Sequence, residues 1–333
     1  MKHITISDIA REAGVSKATV SRVLSKPQLV NEETRKKIIS IIDKYSFSPN
    51  PLAQGLAGMP TKTIGVMIDE LANDFYIELT GGIDSVISGE NYSVQLMSSR
   101  WLPGRELRGI RSMIMNRVDG ILMAPAEAES EATELLKKSG VPYVLINCTS
   151  GDPDVSYICG DNYKGGQIAA EYVNGLNREQ IIIVDVSGHQ TIVDRIAGFS
   201  AVIDKGKTDV KLYSKTKTYE DGYRLVSQIV ERDAIDVKKT ALFAGNDYVA
   251  MGVISRLFEM NISIPRQVSV IGYDDIRIAS LCKVPLTTVS QSIYTMGQTA
   301  AAALIKKIRD PHAPPFRHII EPALIIREST APL

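Results

Sequence analysis

The 333 residues are 44% hydrophobic and 23% charged, and the formal net charge is zero. This composition excludes a disordered or fibrous chain, and at roughly 150 residues per domain the length suggests two domains and a small extra module. No apolar run reaches the ~20 residues of a membrane span and the N-terminus lacks the apolar stretch of a signal peptide, so a cytoplasmic protein with no membrane partner is expected.

Charge is unevenly placed. Residues 1–60 hold nine Lys/Arg against five Asp/Glu, and the remainder 29 against 33. A basic head on an acidic body points to nucleic acid as a partner of the head alone. Ile6, Ile9, Ala10 and Ala13 fall at i, i+3, i+4 and i+7 and predict a short helix. Thr5 caps it, with Asp8 three residues on as in a capping box. Gly14 ends it in a left-handed turn and Val15 plugs that turn. Ser16 then caps a second helix over 17–24, with Val20, Val23 and Leu24 inward and Lys17, Ala18, Ser21 and Arg22 outward. Helix, glycine turn and second helix make a helix-turn-helix, whose second helix enters the major groove. Arg22 suits bidentate pairing with guanine, Ser21 a base edge or phosphate, and the Ala18 methyl a thymine methyl. Ser16 and Thr19 suit phosphates. A third helix over 32–45, capped by Asn31, supplies Ile38, Ile39, Ile41 and Ile42 to a small three-helix core.

Residues 51–58 follow, opened by Pro51 and closed by Gly58. About two turns, weakened by Gly55, do not hold as an isolated helix; the segment reads as a linker that becomes helical only when something holds it.

From Thr61 the pattern changes to short β-rich runs at 63–68, 94–97, 120–123, 143–146, 181–184, 211–213, 241–244 and 268–273. Amphipathic helices fit between them, among them 76–87, 105–115, 164–174, 219–231 and 248–260. Such alternation predicts an α/β body of two doubly wound subdomains. Ligands of open α/β sheets bind beyond the carboxyl ends of strands. Asp69, Asp74 and Phe75 follow the first strand, Asn147 the fourth, Asn246 and Asp247 the run at 241–244, and Asp274 and Asp275 the run at 268–273; Arg195 follows 181–184. Carboxylates, amides and a guanidinium around an aromatic face suit a polyhydroxylated ligand. The alternatives are ordinary ones: Asp247 and Asp275 as helix caps, Arg195 in a surface ion pair, Phe75 and Tyr76 in the core. Trp101, the single tryptophan, is either a pocket wall or packing.

Cys148, Cys159 and Cys282 are scattered and read as reduced; the four histidines show no metal-ligand spacing. No P-loop, GxSxG or kinase motif set occurs, so neither a catalytic role, a metal nor a cofactor is expected.

The segment from Thr5 to Ser16 with Ala18-Thr19-Val20-Ser21-Arg22-Val23-Leu24 resembles the head of the lactose/galactose-repressor (LacI/GalR) family. So do Tyr45-x-Phe47-x-Pro49-Asn50, Thr63-Ile64-Gly65-Val66, Asn246-Asp247 with Ala250-Met251-Gly252, Val270-Ile271-Gly272-Tyr273-Asp274-Asp275, and Pro285-Leu286-Thr287-Thr288-Val289. The resemblance runs in order along essentially the whole chain. It implies a homodimer that binds near-palindromic operator DNA, with a body like a periplasmic sugar-binding protein. It implies a head at 1–48, a hinge helix and linker at 49–60, and an effector-binding and dimerisation domain at 61–333, the chain crossing between subdomains near 160, 290 and 322. Thr5, Ile6, Ser7, Asn31, Thr34, Asn50 and Ala53 join the DNA-contact set, and Leu56 becomes a wedge in the minor groove. Gln54 stands where the family pattern often has arginine. Asp74, Phe75, Asn147, Arg195, Asn246, Asp274 and Gln291 become effector-binding residues. The C-terminus carries no leucine heptads, so a dimer and not a tetramer is expected.

The function so implied is a transcriptional regulator, a repressor of carbohydrate-utilisation genes answering to a small sugar effector. The alternatives are control by a purine or a protein corepressor, an activator of the same build, or a sugar-binding protein without a regulatory role.

Overall fold

In a computed structural model the structure describes residues 4–25, 27–45, 47, 60–186, 190–204, 206, 208–232 and 237–333. The head is three helices, α1 (Ile6–Ala13), α2 (Lys17–Ser25) and α3 (Glu32–Lys44). Their apolar stripes meet in a small core of Ile9, Ala10, Ala13, Val20, Val23, Ile38 and Ile41, with Ile6, Val15, Leu24 and Ile42 packed at its edge. Ile39 departs from expectation: it is 43% exposed. Ile38 and Ile41 share the inward i, i+3 row, and Ile39, 100° further round, faces out.

The body begins with β1 (Thr63–Ile68), α4 (Asp74–Ile87), β2 (Ser93–Ser98), α5 (Pro103–Met115), β3 (Gly120–Met123), α6 (Glu131–Ser139), β4 (Tyr143–Ile146) and β5 (Tyr157–Gly160). There follow α7 (Asn162–Gly175), β6 (Gln180–Val186), α8 (Gln190–Val202), β7 (Asp209–Thr216), α9 (Tyr219–Ser227), β8 (Thr240–Ala244), α10 (Asp247–Glu259), β9 (Val268–Ile271) and β10 (Thr288–Ser290). α11 (Ile293–Arg309), β11 (Arg317–Ile320) and β12 (Ala323–Ile325) complete it.

Two parallel sheets result, one ordered β11-β5-β4-β3-β1-β2 and the other β7-β6-β8-β9, beside an antiparallel β10–β12 pair. In the first sheet the burial of every residue of β3, and nearly all of β1 and β4, is what helices on both faces require. The α/β, doubly wound expectation holds. The chain leaves the first sheet after Gly160, re-enters its layers with α11, and leaves again after Ile320. No helix among the described residues is long and apolar enough to cross a membrane.

Four strands escaped the sequence reading: β5, β10, β11 and β12. Each has only three or four residues, and β11 pairs with β5 across some 160 residues of chain. The run predicted at 268–273 stops at Ile271, and the helix predicted at 219–231 stops at Ser227, continuing as a π turn over Gln228–Arg232.

α7 and α8 touch backbone to backbone. A Cβ on Gly198 would lie 1.9 Å from the Tyr163 carbonyl oxygen, and one on Gly166 2.0 Å from that of Arg195. Gly198→Ala must part the two helices, at an expected cost of about 1–3 kcal/mol. Calorimetric melting should show Tm falling by about 2–4 °C per kcal/mol, together with weakened ligand binding, because α8 carries Arg195.

Candidate functional site

The head presents a surface built by its caps. Thr5 and Asp8 form the capping box, Thr5 Oγ1 donating to Asp8 Oδ2 at 2.7 Å, and Gly14 takes φ 71°. Thr19 N donates to Ser16 Oγ at 3.1 Å, and the two hydroxyls are 2.9 Å apart. Asn31 Oδ1 accepts from Thr34 N at 2.8 Å and starts α3. Of the residues read as DNA contacts, Thr5, Ser16, Lys17, Ala18, Arg22 and Asn31 are exposed, and Ile6, Ser7, Thr19, Ser21 and Thr34 half-buried. Asn50, Ala53, Leu56 and the hinge segment lie outside the described residues. Lys17, Ala18 and Arg22 therefore share the outer side of α2, while Val20 and Val23 anchor its inner side.

In the body, strand ends of both sheets converge on a cavity of about 180 Å³. Phe75, Tyr76 and Trp101 supply rings; Asn147, Asn246, Asp274, Arg195, Thr191, Thr218, Glu70 and Lys217 supply polar groups. Its volume is small against the roughly 300–1,000 Å³ of drug-sized sites, and suits one ring.

Arg195 is its fixed centre. The guanidinium donates from Nε to Asn162 Oδ1 and from Nη1 to the Gly245 carbonyl, both at 2.8 Å. Nη1 also lies 3.0 Å from Asp274 Oδ1, and the group stacks 3.9 Å over the Tyr273 ring. Asp274 Oδ1 further accepts from Gln291 Nε2 at 2.6 Å, which leaves Oδ2 for a ligand. Burial lifts the Asp274 carboxyl to about 6, against the pull of Arg195 and Gln291. Asp274 also holds φ 120°, a conformation side chains rarely adopt, and Arg100 and Trp101 are both left-handed at φ 51° and 61°. Strain of this kind persists only where the surroundings impose it. Asn147, left-handed at φ 56°, has its Oδ1 buried without a partner among the described residues. Asn246 spends its Oδ1 on Val249 N at 2.8 Å as the cap of α10, so its amide nitrogen is the group for a ligand.

Of the seven residues expected to bind an effector, Phe75, Asn147, Arg195, Asn246 and Asp274 line this cavity. Asp74 does not; it accepts a short hydrogen bond from the Tyr248 hydroxyl, tying α4 to α10. Gln291, fully buried, stands behind Asp274 and orients it. Asp247 and Asp275 are structural: Asp247 accepts from Thr288 Oγ1 at 2.6 Å and Ile276 N at 3.0 Å, and Asp275 from Arg327 Nη2 at 2.6 Å. Trp101 is a wall. Glu70, Asn73, Thr191, Ile192, Lys217 and Thr218 were missed. Glu70, Asn73, Lys217 and Thr218 also sit just past strand ends, but β7 was read three residues too short to put Lys217 there.

Residues 5–50 match the family described as bacterial regulatory proteins, lacI family, and residues 173–330 a periplasmic binding protein-like domain. The chain is 31% identical to catabolite control protein A of Priestia megaterium, over 91% of this chain and 92% of that one. It is equally 31% identical to the HTH-type transcriptional repressor PurR of Vibrio atlanticus strain LGP32, over 92% of each. A LacI family transcriptional regulator from Enterococcus faecalis V583, solved with bound ribose, superposes with a TM-score of 0.73 at 30% identity, over 81% of this chain and 99% of that one.

Proposed function

The chain belongs to the lacI family of bacterial regulators, and we propose that it represses carbohydrate genes as a homodimer whose operator affinity is set by a sugar in the cleft. It is a ligand-responsive DNA-binding regulator, and its relatives are regulators and not enzymes. The division we adopt is a DNA-reading head at 1–48, a hinge at 49–60 and an effector and dimerisation body at 61–333. Lys17, Ala18, Ser21 and Arg22 read bases, Ser16 and Thr19 hold phosphates, and Leu56 wedges the minor groove. Exposed apolar side chains on the body support pairing with a second copy: Val94 and Leu96 on the edge strand β2, Ile77 on α4, and Leu281 on the other subdomain.

One observation carries the sugar reading. An ion pair, two amides and three aromatic rings converge on a one-ring cavity between the subdomains. Hydroxyls of a sugar satisfy Asp274 Oδ2, Asn147 Oδ1 and Asn246, and its apolar face lies on the rings. The ligand touches both subdomains, so it changes the angle between them and with it the pairing of the two hinges. Coupling of this kind is typically about 1–3 kcal/mol, or 5–150-fold in operator affinity. A gel-shift assay on the gene's own upstream region, with and without a panel of sugars, tests the reading. Specific binding modulated by one sugar supports it; no specific binding at moderate salt under any condition removes it.

The carboxyl of Asp274 gives a pH signature. Folding raises its pKa to about 6, so the folded chain holds this proton more tightly than the unfolded one. Its contribution to stability is complete below the unfolded value of about 4 and is lost as pH rises through about 6. Ligand binding runs the other way, because ionised Asp274 is the better acceptor of hydroxyls. Calorimetric titration should show sugar affinity rising between about pH 5 and 7, and Asp274→Asn should flatten that profile.

A further inference from the structure

Asp69 follows the last residue of β1, fully buried and just behind the cavity wall. A carboxylate in such a place is costly unless donors surround it. Two donors come from the two segments that carry the cavity's rings. Asp69 Oδ2 accepts from the Tyr76 hydroxyl at 2.6 Å, and Oδ1 from the Ser99 hydroxyl at 3.0 Å. Ser99 Oγ in turn accepts from Trp101 N at 3.2 Å. The main-chain carbonyl of Asp69 takes two more donors from the same loop, Ser98 Oγ and Arg100 N, both at 2.7 Å. Tyr76 packs edge-on to Phe75, with ring centroids 5.2 Å apart and planes at 80°.

Each ring of the cavity therefore answers to one residue. β1 and β2 run parallel with Ile68 opposite Ser98, which brings Asp69 level with Ser99 where the pairing ends. There the chain turns through two successive left-handed residues, Arg100 and Trp101, a conformation that holds only under outside constraint. Asp69 supplies that constraint through Ser98, Ser99 and Arg100. Burial, with the charge of Asp69, holds the Tyr76 phenol well above its ordinary value, so it stays a donor. We propose that Asp69 is a positioning residue of the effector site: untouched by the ligand, it sets Tyr76, Phe75 and Trp101 as one wall before the ligand arrives. Walls fixed in advance spare the ligand the cost of ordering them. The proposal rests on the reading of this cavity as the effector site.

Trp101 is the single tryptophan, so intrinsic fluorescence of the full chain reports one wall without any ligand. Asp69→Ala and Ser99→Ala should shift its emission to the red and raise its quenching by acrylamide, Asp69→Asn should do so less, and Tyr76→Phe not at all. Calorimetric titration with a panel of ribose, glucose, galactose and fructose supplies the second readout, on the tightest-binding of the four. Asp69→Ala should weaken that sugar about tenfold, and Asp69→Asn, which keeps one acceptor, about threefold. In a Tyr76→Phe background Asp69→Ala should cost only about threefold more, because the two residues share one hydrogen bond. Asp69→Asn has the shape of the parent side chain and keeps the test open should Asp69→Ala not fold. Unchanged Trp101 emission in the Asp69 variants, or the same loss of affinity with and without the Tyr76 hydroxyl, overturns the positioning role. Failure of the parent chain to bind any of the four counts against the sugar reading, while Trp101 emission still decides the role of Asp69.

Discussion

Replacing Arg195 with alanine is expected to abolish the response to effector, weakening sugar binding about 100-fold while leaving effector-free operator binding within about twofold. The reason is the number of groups that depend on one guanidinium. It holds Asn162, the Gly245 carbonyl and Asp274, and covers the Tyr273 ring. The Arg195 and Asp274 side chains are 4% and 12% exposed. Breaking such a buried pair usually costs about 3–5 kcal/mol, because a charge is left alone. Here the lower end is expected: Asp274, already at about 6, escapes by taking up a proton. Urea unfolding should therefore show a loss near ~3 kcal/mol. Arg195→Lys keeps the charge without the planar fork and should recover only part of both effects. Loss of basal operator binding in Arg195→Ala would show the residue to be structural and not part of the effector site.

Arg22→Ala should produce the largest loss on the DNA side. A bidentate guanine contact is worth about 1–3 kcal/mol, and a dimer makes it twice, so operator affinity falls by about 1.5 to 4 orders of magnitude. Discrimination between operator and random DNA falls with it. Arg22 is exposed, so melting should stay within about 0.5 kcal/mol of the parent. Thr19→Ala provides the contrast: Thr19 holds phosphate, so binding should weaken alike on operator and random DNA. Arg22→Ala binding operator as the parent does would take the reading role from α2.

The elements that could be read in the sequence are those fixed by local physics. The stripe of Ile9, Ala10 and Ala13, the Thr5 capping box and the left-handed Gly14 all follow from spacing within a dozen residues, and each is in the fold. Ile39 failed because adjacent isoleucines at 38–39 and 41–42 leave the inward row undecided until α1 packs against α3. The long buried strands β1, β6 and β8 announce themselves; β5 and β11 do not, because their partnership is made across the fold. Within the cleft, the rule that ligands gather at strand ends pointed to Phe75, Asn147, Arg195, Asn246 and Asp274. It overreached at Asp74, whose partner Tyr248 comes from the other subdomain; Gln291, expected from the family resemblance, sits one layer behind Asp274. Trp101 becomes a wall only through two left-handed residues in succession, a turn its sequence does not advertise.

The claim on which the rest depends is that the cleft and the head are one thermodynamic system. Fluorescence anisotropy of the full chain on its labelled upstream DNA, titrated with and without a saturating concentration of the tightest-binding sugar of the calorimetric panel, measures it directly. Operator affinity should shift by about 5–150-fold, and the sugar's affinity should shift by the same factor when operator is bound. Identical operator affinity at every sugar concentration, with sugar binding verified in the same samples, would contradict it.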